Sequence, residues 1–186
     1  MKASLNLISL TSMIPLVVMI QITSGESLIN STCLDSARDD PNIDYAFCTS
    51  SLQAAPGSHC ATLQGLGIIS ITLLQSNITD TRCSIKHLIR NSTSEEPYLR
   101  RCLSDCLELF SDAIPSAIEA MRDFTLKRFE DANVKISSIM DAATTCEDGF
   151  KESRGLVSPL TIRNHHTFEL SAIALSLMHI IQTRTG

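Results

Sequence analysis

The sequence predicts an all-α protein, an up-down-up-down four-helix bundle preceded by a short N-terminal α-hairpin and stapled by disulfides. Three observations predict it. Apolar residues recur at heptad spacing over four long segments, the pattern of packed helices. Strand-like alternation is absent throughout. Seven cysteines follow a segment that reads as an export signal, so disulfides come before metal ligands in reading them.

The chain opens with Lys2, an apolar run reaching Ile22, and small residues through Gly25. That is the layout of a secretory signal peptide over residues 1–25. The run is nearly long enough for a membrane anchor. Ser4, Asn6, Ser9, Thr11 and Ser12 dilute it, however, and no basic cluster follows. The mature chain, residues 26–186, is then expected to be a single secreted domain with no membrane partner. Losing Lys2 takes Lys plus Arg from 15 to 14 against 20 Asp plus Glu, a formal charge of −6. An acidic chain without a basic tract lacks the electrostatic footprint of a nucleic-acid binder. Asn-x-Ser/Thr triplets at Asn30, Asn77 and Asn91 suit the same exported route as N-glycosylation sites. Asn77 and Asn91 share a heptad position, which predicts a common outward stripe.

The elements follow in order. Residues 30–54 read as a helical hairpin. Cys33 and Cys48 bracket Asp39-Asp40-Pro41-Asn42, where proline ends one short helix and asparagine helps start the next. Two short helices bury little apolar surface. A disulfide across them, worth about 3 kcal/mol in the loop-entropy model, supplies the missing restraint. Residues 56–186 read as four long helices. Pro56-Gly57-Ser58 opens bundle helix one, where Ile71, Ile78 and Ile85 form one row and Leu74 and Leu88 the next. Asn91-Ser92-Thr93-Ser94 is the turn. Bundle helix two starts at Glu96-Pro97, since proline is tolerated in a first turn. Its rows are Leu103, Phe110, Ala117, Phe124 and Leu107, Ile114, Met121. Pro115 within it removes a backbone hydrogen bond and predicts a kink. Bundle helix three starts near Phe129, with Phe129, Ile136, Ala143 and Phe150 on one row and Ala132, Ile139 and Cys146 on the other. Ser158 reads as an N-cap and Pro159 as the first residue of bundle helix four. Its stripe is Leu170, Ile173, Ala174, Leu177, Ile180 and Ile181. Short linkers make chain neighbours antiparallel.

The stretch closest to an active site is SSIMDAATTCEDGFKE, Ser137 to Glu152. Cys146 lies on the apolar row, and Glu147 and Asp148 are rotated off it by about 100° and 200°, so one face cannot present all three. No nearby histidine is present to activate the thiol. Cys146 therefore reads as a buried half-cystine. Late residues of helix three meet early residues of helix two, which makes Cys102 or Cys106 its partner. The two are one turn apart, and the heptad frame does not choose between them. Either bridge closes a loop of about 40 residues, worth about 4 kcal/mol in the same model. His165, His166 and Glu169 have helical ligand spacing but lack the paired Glu-x-x-His motifs of a di-metal bundle, and read as a solvated polar face. Cys102-x-x-x-Cys106 lacks two further zinc ligands. Gln64-Gly65-Leu66-Gly67 lacks the third glycine and preceding strand of a phosphate loop, and reads as close helix packing. There is no nucleophile elbow. The chain thus reads as a binding protein rather than an enzyme, with no catalytic residues, no metal and no cofactor.

Five blocks carry a resemblance: PNIDYAFC (Pro41–Cys48), LQGLGIIS (Leu63–Ser70), DANVKIS (Asp131–Ser137), TCEDGFKE (Thr145–Glu152) and GLVSPLT (Gly155–Thr161). With two cysteines bracketing a hairpin and two on bundle helices two and three, they resemble the plant invertase and pectin methylesterase inhibitor family. Within it the likeness is to the invertase inhibitors typified by a plane-tree pollen allergen. The blocks span nearly the whole mature chain in order. The resemblance implies first-with-second and third-with-fourth cysteine pairing, hence Cys33–Cys48 and Cys106–Cys146. Cys60, Cys83 and Cys102 lie outside that pattern, and a third bridge between Cys83 and Cys102 stays geometrically open.

The resemblance also implies a function. It is a protein secreted to the cell wall or apoplast, with the vacuole the lesser alternative, that inhibits an enzyme by covering its substrate cleft. The partner would be pectin methylesterase or acid invertase. One branch of the family blocks invertase with a Pro-Lys-Phe motif between bundle helices two and three. Here that place reads Lys127-Arg128-Phe129, keeping the basic residue and the phenylalanine but replacing the proline. Phe129 equally begins the core row of helix three. The other branch caps the pectin cleft with the faces of helices two and three, and no short motif marks those contacts. The alternative function is a non-inhibitory, allergen-like secreted protein that keeps the scaffold.

Overall fold

The computed structural model describes residues 13–92, 97–152 and 156–185. Its elements are α1 (Met13–Asp39), α2 (Tyr45–Ala54), a 3₁₀ turn (Ser58–Cys60), α3 (Leu63–Asn91), α4 (Pro97–Thr125), α5 (Phe129–Glu152) and α6 (Thr161–Thr185). No strand occurs among the described residues. Each of the four long helices packs on its chain neighbour, and α6 returns to α3, which closes the bundle. The α1–α2 hairpin lies to one side, with α1 reaching α6.

The heptad rows become the core. Ile71, Ile78 and Ile85 of α3 meet Leu103, Phe110, Ala117 and Phe124 of α4, Ile136, Ala143 and Phe150 of α5, and Leu170, Ala174 and Ile181 of α6. A second cluster joins Ile29, Cys33, Ile43, Cys48 and Leu52 of the hairpin region to Leu66, Ala172, Ile173 and Leu177. Burying a side chain of this kind contributes roughly 1.5–3 kcal/mol, so both joints rest mainly on apolar area.

Several element starts differ from the sequence expectation. α1 extends back to Met13, so the first arm of the hairpin is a long helix. The leader read at residues 1–25 lies outside the residues whose side chains are described. α3 begins at Leu63 rather than after Pro56, because Gly57 takes φ 76° and a 3₁₀ turn follows. Thr62 then caps α3, its hydroxyl accepting the Gly65 N–H at 3.1 Å. α4 runs through Pro115 as one helix. Ser158 caps a turn instead of α6, accepting the Leu160 N–H at 3.1 Å, and α6 starts at Thr161.

The Cys33 and Cys48 sulfurs are bonded with Cα atoms 5.8 Å apart, and those of Cys106 and Cys146 with Cα atoms 5.0 Å apart, both ordinary spans. The Cys83–Cys102 bridge that the sequence left open is not formed. Cys83 is exposed on α3, whereas Cys102 is buried and turned toward α5, where its thiol donates to the Gly149 carbonyl at 3.5 Å. One helical turn before Cys106, it shares that residue's face and so points away from Cys83.

Gly67 carries the close helix approach expected of QGLG. A Cβ there would stand 2.4 Å from Phe124 Cζ and 3.2 Å from Ile181 Cδ1. Gly149 is different, because a Cβ there would meet nothing within 4 Å. Gly67→Ala should lower stability by about 1–3 kcal/mol, the usual cost of overpacking, read as a shift in the urea midpoint at unchanged slope. Gly149→Ala should be neutral or stabilising in the same assay.

Candidate functional site

Chemistry is scarce where the sequence hinted at it. Cys146 is a half-cystine on the core side of α5. Glu147 reaches α6, accepting from the Thr161 hydroxyl at 2.7 Å and from Asn164 Nδ2 at 2.8 Å. Asp148 pairs with Lys151 on the surface. Among the described residues no three His, Cys, Asp or Glu side chains could hold a metal ion.

Glu169 is not on a solvated face, as HHTFE had suggested. It is 1% exposed. Its Oε1 accepts the Asp44 N–H at 2.8 Å, and its Oε2 lies 3.3 Å from Nε2 of exposed His165. His166 stacks on Phe47 of α2 at 5.0 Å. Burial pushes the Glu169 carboxyl above its ordinary value, against the opposing pull of the Asp44 N–H and His165. The stretch is the joint between hairpin and bundle. Sequence could not show this, since Asp44 lies 125 residues away.

The turn between α4 and α5 holds the other sequence candidates. Lys127 N–H donates to the Phe124 carbonyl at 3.0 Å and Arg128 N–H to the Asp123 carbonyl at 2.8 Å. This double closure is a Schellman motif, whose central residue must be left-handed, and Lys127 has φ 58°. The Arg128 guanidinium donates to the carboxylate of buried Asp123, beside Arg122. Phe129 is half-buried and meets Phe124 edge to face at 5.6 Å. Of the three candidate contact residues, Lys127 is presented outward, Arg128 is tied back to the turn, and Phe129 packs on the core.

The outer α4–α5 face continues from this turn. One concavity of about 310 Å³ is lined by Arg122, Asp123, Arg128, Asp131, Val134 and Lys135. A second, of about 360 Å³, includes Asp112, Ser116, Ser138, Asp141 and Thr145. The concavity near the turn thus mixes cations with carboxylates in ion pairs, whereas the charged side chains of the second are carboxylates alone. Ile118, Leu126 and Val134 are 60%, 59% and 69% exposed on the same helix pair and its turn.

The glycan stripe is corrected. Asn91 is exposed near the end of α3, but Asn77 is half-buried and accepts the Thr167 hydroxyl of α6 at 2.6 Å. Asn30 is also half-buried, accepting from Gln53 at 3.2 Å. α3 is flanked by α4 and α6, so less of its circumference stays outward than the heptad count allowed.

Comparison with known families matches the model described as plant invertase/pectin methylesterase inhibitor over residues 27–177. The chain belongs to this family. A Platanus acerifolia protein provisionally named an invertase inhibitor is 39% identical over 166 residues, 89% of this chain and 92% of the relative. Pectinesterase inhibitor 2 of Arabidopsis thaliana is 25% identical over 126 residues, 68% of this chain and 70% of the relative. The crystal structure of a mutant form of a pectin methylesterase inhibitor from Arabidopsis superposes with a TM-score of 0.63 at 23% identity, covering 73% of this chain and 89% of that one. In this family member the α4–α5 pair ends in the closed turn described above. A proline cannot occupy residue 127 as folded, since its ring fixes φ near −65°. Lys127→Gly should stabilise the protein by about 1 kcal/mol through relief of the left-handed penalty, and Lys127→Pro should lower the melting temperature by disrupting the turn.

Proposed function

We propose that this family member is a secreted protein inhibitor that covers the substrate cleft of a plant cell-wall enzyme with its outer α4–α5 face. Family membership and the names of its relatives support pectin methylesterase or acid invertase as the target class. The observation that carries the reading is the surface itself. Two helices are cross-linked between Cys106 and Cys146 and, with their turn, present Leu126 and Val134 beside a groove of paired charges and an acidic groove. A surface held rigid before binding loses little entropy on association, and charge complementarity sets the register.

Between the two targets the turn favours pectin methylesterase. The invertase-type motif needs a proline where Lys127 is left-handed, and it needs its phenylalanine available where Phe129 packs on Phe124. The apoplast is the expected site of action, reached through cleavage after Gly25. The family match begins at residue 27, which agrees with that boundary. Asn91 is the exposed candidate for a glycan. The second reading, a non-inhibitory protein on the same scaffold, would follow if neither enzyme were bound.

Titration of the mature protein, residues 26–186, against both enzymes at mildly acidic pH tests this. Pectin methylesterase should lose activity at near-stoichiometric inhibitor and acid invertase should not. Loss of invertase activity alone would reverse the target choice, and inhibition of neither would sink the inhibitor reading. Val134→Asp should weaken inhibition by about tenfold or more, roughly 1.4 kcal/mol, with the circular dichroism spectrum and melting temperature unchanged.

A further inference from the structure

Glu169 is the only link in the hairpin–bundle joint that combines near-complete burial with a titratable oxygen lacking a hydrogen-bond partner, among the described residues. Its two oxygens face different elements. Oε1 holds the N–H of Asp44, the residue that caps α2, while Oε2 is buried without a hydrogen bond and has only the Nε2 of exposed His165 nearby, at 3.3 Å. Around this contact the hairpin touches α6 through Phe47 on His166, Ser36 on Ser176 at 2.8 Å and Asp35 near Arg184 at 3.5 Å. The apolar cluster beneath keeps the hairpin docked on average. The polar contacts above it set how often the joint opens, a local excursion well short of global unfolding.

We propose that Glu169 makes this joint an acid-tightened latch: the neutral carboxyl holds Asp44 and closes the hairpin on α6, and ionisation of that buried carboxyl loosens it. The physical cause is desolvation. A buried carboxylate whose second oxygen makes no hydrogen bond and has only an exposed imidazole nearby is costly, and opening the joint returns it to water. Three titratable neighbours act on it: Asp44 from the start of α2, and His165 and His166 from α6. The histidines favour the ionised form, and the Asp44 carboxylate opposes it. Burial outweighs them, so the folded carboxyl titrates above its unfolded value. The latch contribution is therefore complete below the unfolded value, near 4.5, and is lost as pH rises through the higher folded value. The hairpin is held most firmly in an acidic compartment and opens more often toward neutrality. This device is independent of which enzyme the α4–α5 face meets.

Amide hydrogen exchange on the secreted protein between pH 4.5 and 7.5, corrected for intrinsic rates, reads the latch directly. Hairpin amides between Ile29 and Leu52 should lose about tenfold in protection for each unit by which the folded carboxyl is raised. Amides at the centres of α4 and α5 should not follow. Glu169→Gln keeps an acceptor for Asp44 without a charge, so its hairpin protection should stay flat across the range. The same slope in Glu169→Gln as in the natural chain would overturn the latch. A second measurement needs no variant: the Glu169 carboxyl carbon should titrate above the ordinary carboxylate range by carbon-13 NMR, and a midpoint within that range would equally overturn it.

Discussion

The Cys106–Cys146 cross-link governs how the rest of the bundle is arranged. It joins α4 to α5 with Cα atoms 5.0 Å apart and closes a chain segment of 40 residues. In the loop-entropy account that restraint is worth about 4 kcal/mol, a large part of the stability of a domain this size. Its influence extends to α6, because Asn164 donates to the Cys146 sulfur at 3.4 Å and to Glu147 on the next residue. One covalent bond and its polar neighbours therefore fix three of the four bundle helices relative to one another. α3 joins the ring by shape instead, through Gly67 against Phe124 and Ile181.

The same bond explains why the outer α4–α5 face suits recognition. A surface spanning two helices keeps its shape only if the helices cannot slide. Here one end is closed by the Schellman turn and the Asp123–Arg128 pair, and the other end by the disulfide. Leu126 and Val134 can then remain exposed without a packing role, and the mixed-charge and acidic grooves keep a fixed order along the face. The hairpin contrasts with this. It has its own disulfide, but it meets the bundle through one apolar cluster and a few polar contacts. Rigidity in the binding pair and conditional attachment in the hairpin are two answers to the same problem, holding helices together in a chain with few aromatic residues.

Much was legible in the sequence because heptad repeats encode their own burial. Every residue of the Leu103, Phe110, Ala117, Phe124 row is buried, as is the Ile71, Ile78, Ile85 row. Proline at residue 97 marked the start of α4, and Phe129 that of α5. Element starts failed where a local turn intervened, as at Gly57 and Ser158, since a cap signal does not say which structure it caps. The outward stripe through Asn77 failed because a heptad position tells how residues share a face but not how many neighbours surround the helix.

By itself the sequence determined the helical class, the order of the elements, the faces that would be buried and the membership of a cysteine-stapled inhibitor family. These follow from periodicity and from motifs local to a few turns. Only the tertiary structure decided that Cys102 turns to Gly149 and not to Cys83, that Lys127 is left-handed with Phe129 packed inward, and that Glu169 is buried against Asp44. Each of those outcomes depends on which helix arrives opposite a side chain. That is set by the whole packing arrangement, over separations that no local pattern records.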